Sequence, residues 1–215
     1  MNLTIRQLGQ VEYKPAWEAM QAFNENRTDQ TNDEIWLLEH PPIFTQGLAG
    51  KKEHILDAGD IPVLQIDRGG QITYHGPGQL ICYVLLNLRR LDLTIKGLVN
   101  LLEQTVIDLL KKYGVVSERR EKAPGIYVAQ SKIAALGLRV RKGCTFHGLA
   151  LNVHMDLEPF LRINPCGYSG MKITQLSDLS QDHTLLNIRN DLIKILCVHL
   201  NYNSEFANWE NSLPN

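Results

Sequence analysis

Four stretches of this sequence carry residue types able to do chemistry. RINPCGYSGMK, residues 162–172, sets Cys166 between Pro165 and Gly167. Proline fixes its own φ and glycine tolerates positive φ, so residues 164–167 should form a β-turn with the cysteine in third place. Such a turn holds a thiol outward on stiff backbone, although free cysteine is more often buried filler than nucleophile. Lys132 opens KIAALGLRV. On strict alternation it shares a face with Ala134, Leu136, Leu138 and Val140, so its ammonium begins an apolar stripe where burial would lower its pKa. The ordinary alternative is a stem laid along apolar surface with the charge in water.

RGGQITYHGPGQL, residues 68–80, brings Arg68, Tyr74 and His75 together on a glycine-rich loop ahead of an apolar run. Such loops let backbone amides approach a ligand closely. No Lys-Ser or Lys-Thr follows the glycines and the GxGxxG spacing is absent, which excludes the two common phosphate-binding turns. In GCTFHGLALNV, Cys144 and His147 lie three apart and on a strand point to opposite faces, so they do not form a Cys–His pair. His147 shares its face with Thr145, Leu149 and Leu151, the setting of a hydrogen-bonded core or rim histidine.

The elements that must position these groups alternate between strand and helix patterns. Residues 3–8 read as an opening strand; Trp17, Met20 and Phe23 behind Pro15 read as a helix; residues 34–39 form a strand ended by Pro41 and Pro42. A loop-rich stretch to about residue 60 and a strand at 63–66 follow. QLICYVLLNL, residues 79–88, is a central strand covered on both faces, with Cys82 in the core. Leu98, Leu101, Leu102, Val106, Leu109 and Leu110 mark a helix over 94–113 with Gly114 as its C-cap. Strands at 125–129, 132–140 and 145–153, a turn at 141–143, and a helix over 185–200 that includes Cys197 complete the pattern. This order predicts an α+β fold, a mixed or antiparallel sheet with packed helices, as one domain over residues 1–215.

A formal net charge of -1 gives no whole-molecule attraction to nucleic acid or to anionic membrane. Local basic stretches remain, ERREK around Arg119 and RVRKG around Arg141. No apolar run approaches a membrane span and the N-terminus lacks a secretory pattern, so a cytoplasmic protein is expected. The four cysteines have no metal-type spacing and should be free thiols in a reducing compartment; no metal or cofactor is expected.

In that order, RGGQITYHGPGQL, SKIAALGLRV, GCTFHGLALNV and RINPCGYSGM resemble the signature blocks of bacterial octanoyltransferases, the lipoyl(octanoyl) transferases of lipoate biosynthesis. The resemblance covers roughly residues 68–171. It implies a fold similar to the catalytic domain of biotin and lipoate protein ligases. It also implies transfer of octanoyl from acyl carrier protein to a lysine of lipoyl domains, in 2-oxoacid dehydrogenase E2 subunits and the glycine cleavage H protein. By the same resemblance Cys166 forms the acyl-enzyme and Lys132 activates it, without ATP. Arg68, Gly69, Gly70, Gln71, Ile72, Thr73, Tyr74 and His75, then Ala135, Leu136 and Gly137, then Gly148, Leu149 and Ala150, correspond to its substrate-binding segments. A monomer is expected.

The chemistry is consistent with those roles. A free thiol with pKa about 8.5 is only a few per cent thiolate near neutrality, and a neighbouring lysine raises that fraction as a charged partner or as a base, the two titrating as a coupled pair. Oxyanion donors are expected from backbone amides near Gly167 or the glycine-rich loop. An apolar slot beside residues 148–150 burying the octanoyl chain contributes up to roughly 5 kcal/mol. Arg139, Arg141 and Lys142 offer a docking edge to acidic carrier domains. The rival readings are an ATP-dependent lipoate or biotin ligase, which needs no cysteine, and a non-catalytic acyl-binding module; a papain-like hydrolase lacks a supporting Cys–His pair.

Overall fold

The computed structural model describes residues 3–121, 123–181, 184–203 and 207–214; Lys122 of the ERREK stretch lies outside them. Strand β1 (Leu3–Gln10) leads through helix α1 (Tyr13–Asn26) to β2 (Asp33–Glu39), which pairs parallel to β1. Helix α1 buries Tyr13, Ala16, Met20 and Asn24, one per turn on a single side. Pro15 falls in its first turn, where a missing N–H breaks no helical bond.

Among the described residues the short strands β3 (Ile43–Gln46), β4 (Val63–Gln65) and β5 (Ile72–His75) form a second sheet in the order β4-β3-β5. Two of these differ from the sequence expectation. Residues 43–46 fall in a stretch read as loop, and residues 72–75 turn the middle of the glycine-rich segment into strand. Four residues are too few to show a period, and each strand is stabilised by pairing with the other across the sheet.

Strand β6 (Gln79–Leu85) is buried along its whole length, as its unbroken apolar run requires. Helix α2 (Ile95–Lys112) is capped by the Thr94 hydroxyl, which accepts the Gly97 N–H at 3.0 Å, and ends at Gly114 with φ 76. The short β7 (Glu118–Arg119) and β8 (Ile126–Val128) lead to the long β9 (Ser131–Arg141) and β10 (Cys144–Asn152). Their hairpin turns on Lys142 and Gly143, both at positive φ as a two-residue turn of this hand demands. Helix α3 (Leu185–His199) and β11 (Asn208–Glu210) close the chain.

The larger sheet runs β11-β1-β2-β6-β10-β9-β8-β7, with parallel pairs at β11-β1 and β1-β2 and antiparallel pairs elsewhere. This is the mixed sheet of an α+β fold. Helices α2 and α3 cover one face through Leu102, Val106, Leu192 and Leu196 against Leu37, Val84 and Leu149. Helix α1 covers part of the other face, with Met20 against Trp36, Ile81 and Tyr83. Beside it the small sheet holds its own core of Phe44, Tyr74 and Phe160. No helix among the described residues is long and apolar enough to cross a membrane.

His40, just past β2, is fully buried between α1 and the two sheets. Its Nδ1 lies 2.6 Å from the Val11 carbonyl, so Nδ1 carries the proton and Nε2, 2.7 Å from the Tyr83 hydroxyl, accepts from it. Burial pushes its pKa down to about 4. Below pH 6.5 the unfolded chain binds a proton that the folded chain refuses, so stability falls as pH drops from 6.5 to about 4 and then levels off. For this residue the loss is about 3 kcal/mol. Urea midpoints between pH 7.5 and 4 should show the slope, and His40→Gln should reduce it, with the buried His75 and His147 keeping part; an equal slope in that variant assigns it to other groups.

Candidate active site

The turn expected at residues 164–167 is present, closed by the Gly167 N–H donating to the Asn164 carbonyl at 2.9 Å. Positive φ falls on Gly167 and also on Cys166 itself, at φ 56 and ψ 17. A β-carbon there costs on the order of 1 kcal/mol or more, and that strain fixes the direction of the thiol. The turn is tied down by the Asn164 N–H, which donates to the His54 carbonyl at 2.8 Å.

Lys132 approaches from β9. Its backbone N–H donates to Lys172 O at 2.8 Å and its carbonyl accepts from Thr174 at 3.0 Å, so the segment leaving the cysteine turn is stitched to the lysine strand. The Lys132 Nζ donates to Cys166 Sγ at 3.0 Å and to the Pro124 carbonyl at 3.0 Å. Strict alternation misplaces this residue. The β8–β9 pairing carries a register shift that seats Ile133 and Ala134 together in the helix-side core and leaves Lys132 facing the cavity. Burial pulls the amine's pKa down, but the Cys166 sulfur and the Tyr127 phenol outweigh it and hold the ammonium above its usual range.

The pair opens on a cavity of about 360 Å³, a size suited to a small ligand. Strand pairing sets Ala135, Leu136 and Gly137 directly opposite Ala150, Leu149 and Gly148, so two short blocks distant in sequence form one wall. Arg68, Gly69, Gly70, Gln71, Ile72, Thr73 and His75 line it from the other side. Tyr74 does not, since alternation along β5 turns it into the small core, edge-on to Phe160 at 5.4 Å. Gly148 owes its identity to the neighbouring strand as well, because a Cβ there would stand 2.0 Å from the Cys82 carbonyl oxygen.

Arg68 is buried with its stem over Gly137, and it donates to the Thr45 carbonyl at 2.6 Å, the Thr45 hydroxyl at 3.0 Å and the Gly69 carbonyl at 2.9 Å. Its Nε has no partner among the described residues. Burial pulls its pKa down; Tyr13 and Cys166 act in the opposite sense. A polar chain continues beneath the cavity. His75 lies 3.2 Å from the Thr45 hydroxyl and 2.7 Å from Gln79 Oε1, Gln79 Nε2 donates to Asn152 Oδ1 at 2.9 Å, and Asn152 Nδ2 donates to Thr174 O at 3.0 Å. Burial drives His75 well below its usual value, so it is neutral.

His147 sits at φ 61 in the middle of β10, which breaks the alternation assumed for it, and it lines the cavity. Its Nε2 is 3.0 Å from Asp67, whose carboxylate also accepts from the Trp17 indole at 2.8 Å. Burial pushes Asp67 up, but the bonds from His147 and Trp17 outweigh it and hold the acid at about 2. Cys82, Cys144 and Cys197 are buried and line no part of the cavity. Gly167 and Tyr168 spend their amide protons inside the turn, on Asn164 O and Pro165 O, which removes two of the expected oxyanion donors. The residues not legible beforehand are Tyr127, Glu103, Gln79, Asn152 and Asp67, each a common residue type with no local pattern.

A mixed sheet with two helices on one face, and an apolar cavity lined by a buried lysine, is the architecture shared with the ligase-type catalytic domains below. The bi-partite lipoate protein ligase of Thermoplasma acidophilum superimposes with a TM-score of 0.77 at 16% identity, covering 100% of this chain and 88% of that one. Biotin protein ligase from Aquifex aeolicus does so at 0.59 and 13%, covering 92% and 70%. By sequence, an octanoyltransferase of Vibrio vulnificus (strain CMCP6) is 55% identical over 201 residues, 94% of this chain and 92% of that protein. The chain belongs to the lipoyl protein ligase A/B catalytic domain family, whose model matches residues 12–196.

Proposed function

We propose that this acyltransferase moves an octanoyl group from acyl carrier protein to a lysine of lipoyl domains through a thioester on Cys166. The observation that carries the reading is the Lys132 Nζ held 3.0 Å from Cys166 Sγ in the lining of an apolar cavity. The 55% identity to an octanoyltransferase supports the acyl group, and the T. acidophilum lipoate ligase studied with its E2 lipoyl domain supports the acceptor class. Glycine cleavage H protein is a second acceptor of that class. Residues 1–215 act as one catalytic domain and a monomer, in a cytoplasm reducing enough to keep Cys166 a free thiol.

The two half-reactions use opposite protonation states of one lysine. With the thiolate present, its charge holds Lys132 as ammonium. The sulfur attacks the donor thioester carbonyl, the bond to the pantetheine sulfur breaks, and that sulfur leaves with a proton from Lys132. Acylation then removes the negative charge, so burial, the largest single influence, is opposed only by Tyr127 and favours the neutral amine. Neutral Lys132 takes a proton from the acceptor lysine, whose nitrogen attacks the acyl-enzyme; the Cys166 thiolate leaves and the starting pair is restored. A thioester becomes an amide, which drives the second step forward.

Arg68, placed over the cavity as a buried cation, complements the negative charge at the reacting carbonyl. The acyl chain lies against Ala135, Gly137 and Ala150. Arg139, Arg141 and Lys142 form the docking edge for acidic carriers. Incubation with octanoyl acyl carrier protein and no nucleotide should add one octanoyl mass at Cys166, which a lipoyl domain then removes; a strict need for ATP would return the chain to the ligases. Ala150→Leu should remove room for about three methylenes and lower octanoyl transfer roughly 60-fold, with butanoyl transfer nearly unchanged. Equal losses at both chain lengths would place the chain elsewhere. Gly148 is no probe of length, since any side chain there strikes the backbone of β6.

A further inference from the structure

Lys132 is enclosed by a strap of residues 123–125 that leads into β8. Glu103, buried on α2, accepts the Gly125 N–H at 3.1 Å through Oε1, which ties the strap to the helix, and Arg119 Nε at 3.1 Å through Oε2. Gly125 sits at φ 131, and a Cβ there would stand 3.0 Å from Lys132 Cε. The strap therefore closes directly on the lysine. Tyr127, 1% exposed, follows it; its hydroxyl donates to the Ala123 carbonyl at 3.1 Å, which fixes the ring plane. The ring centroid is 5.2 Å from Lys132 Nζ and 4.4 Å from Arg120 Cζ, so two cations clamp one aromatic ring.

We propose that Tyr127 is a positioning residue whose ring face holds Lys132 in its ammonium form and aims it at Cys166. The inference rests on the dyad reading above. An ammonium has three protons; one is spent on the sulfur and one on the Pro124 carbonyl, and the ring supplies the remaining electrostatic contact. A neutral amine gains little from a ring quadrupole, so the contact favours the charged form. A carboxylate in its place would keep the amine charged through both half-reactions and block its turn as a base. The ring biases the equilibrium by about tenfold without locking it.

The test is the pH dependence of Cys166 alkylation by iodoacetamide, with the labelled cysteine located by peptide mass, in the full chain and in Tyr127→Leu, Tyr127→Met and Tyr127→Phe. The expected result for the leucine and methionine variants is alkylation about tenfold slower at pH 7 and a profile midpoint about one unit higher. The phenylalanine variant keeps its ring but loses the hydroxyl, so its midpoint should move less than in the leucine and methionine variants. Unmoved midpoints in leucine and methionine variants, whatever their melting temperatures, reduce Tyr127 to packing and overturn the proposal; so does a phenylalanine variant that shifts as far as they do. Failure of the parent protein to form an octanoyl adduct sinks the function instead, and the alkylation midpoints still decide Tyr127.

Discussion

Cys166→Ala is expected to lower octanoyl transfer at least about 1,000-fold and to abolish the octanoyl adduct, because the only remaining route is direct attack of the acceptor lysine on the donor thioester. The same substitution has a stability signature with a definite sign. In the parent protein the sulfur's charge holds the Lys132 pKa above its usual 10.5, so the contribution of the pair is intact below that value and is lost only as pH rises past the folded pKa. Without the sulfur, burial is opposed only by Tyr127 and depresses the amine. The folded chain then refuses a proton that the unfolded chain binds, and stability at pH 7 falls by a few kcal/mol. It should recover as pH climbs toward 10.5. Melting temperatures of both proteins across pH 7 to 10 read this directly, and parallel curves would mean that the two side chains do not share charge.

Lys132→Met keeps the length of the stem and removes the ammonium. Two losses are expected together. An unassisted thiol is about 3% thiolate at pH 7, which costs roughly 30-fold, and the absence of a proton donor and acceptor costs on the order of 100-fold. Transfer should therefore fall by roughly 1,000-fold or more. Raising the pH from 7 to 9 should restore the thiolate portion, visible as faster formation of the octanoyl adduct, while the second half-reaction stays slow. Retention of a tenth of the parent rate at pH 7 would remove Lys132 from the chemistry. Full rescue by pH would confine it to thiolate formation.

These tests bear on a geometry that no single stretch of chain contains. Residue types and periods were enough to place the long elements. Residues 94–113 carry a helical stripe with a threonine before it and a glycine after, and α2 forms over Ile95–Lys112. The unbroken apolar run at residues 79–88 becomes the buried central strand β6, and Pro165-Cys166-Gly167 becomes the expected turn. Each of these is decided by local backbone preference or by an element's own buried face, and both are written in consecutive residues. The four signature blocks pointed to the chemistry by resemblance, ahead of any coordinates.

Tertiary structure decided what consecutive residues do not encode. The register of β9 against β10 put Ala135 opposite Ala150 and Gly137 opposite Gly148, and a shift in the β8–β9 pairing turned Lys132 out of the stripe that alternation assigned to it. Strands β3 and β5 exist because each completes the other. Tyr74 left the cavity wall and His147 entered it for the same reason: the φ and pairing at one residue set which face its side chain takes. The 3.0 Å contact between Lys132 and Cys166 joins residues 34 apart. It depends on backbone hydrogen bonds that join Lys132 to Lys172 and Thr174 only once the two segments have been brought together, so neighbouring sequence carries no sign of it.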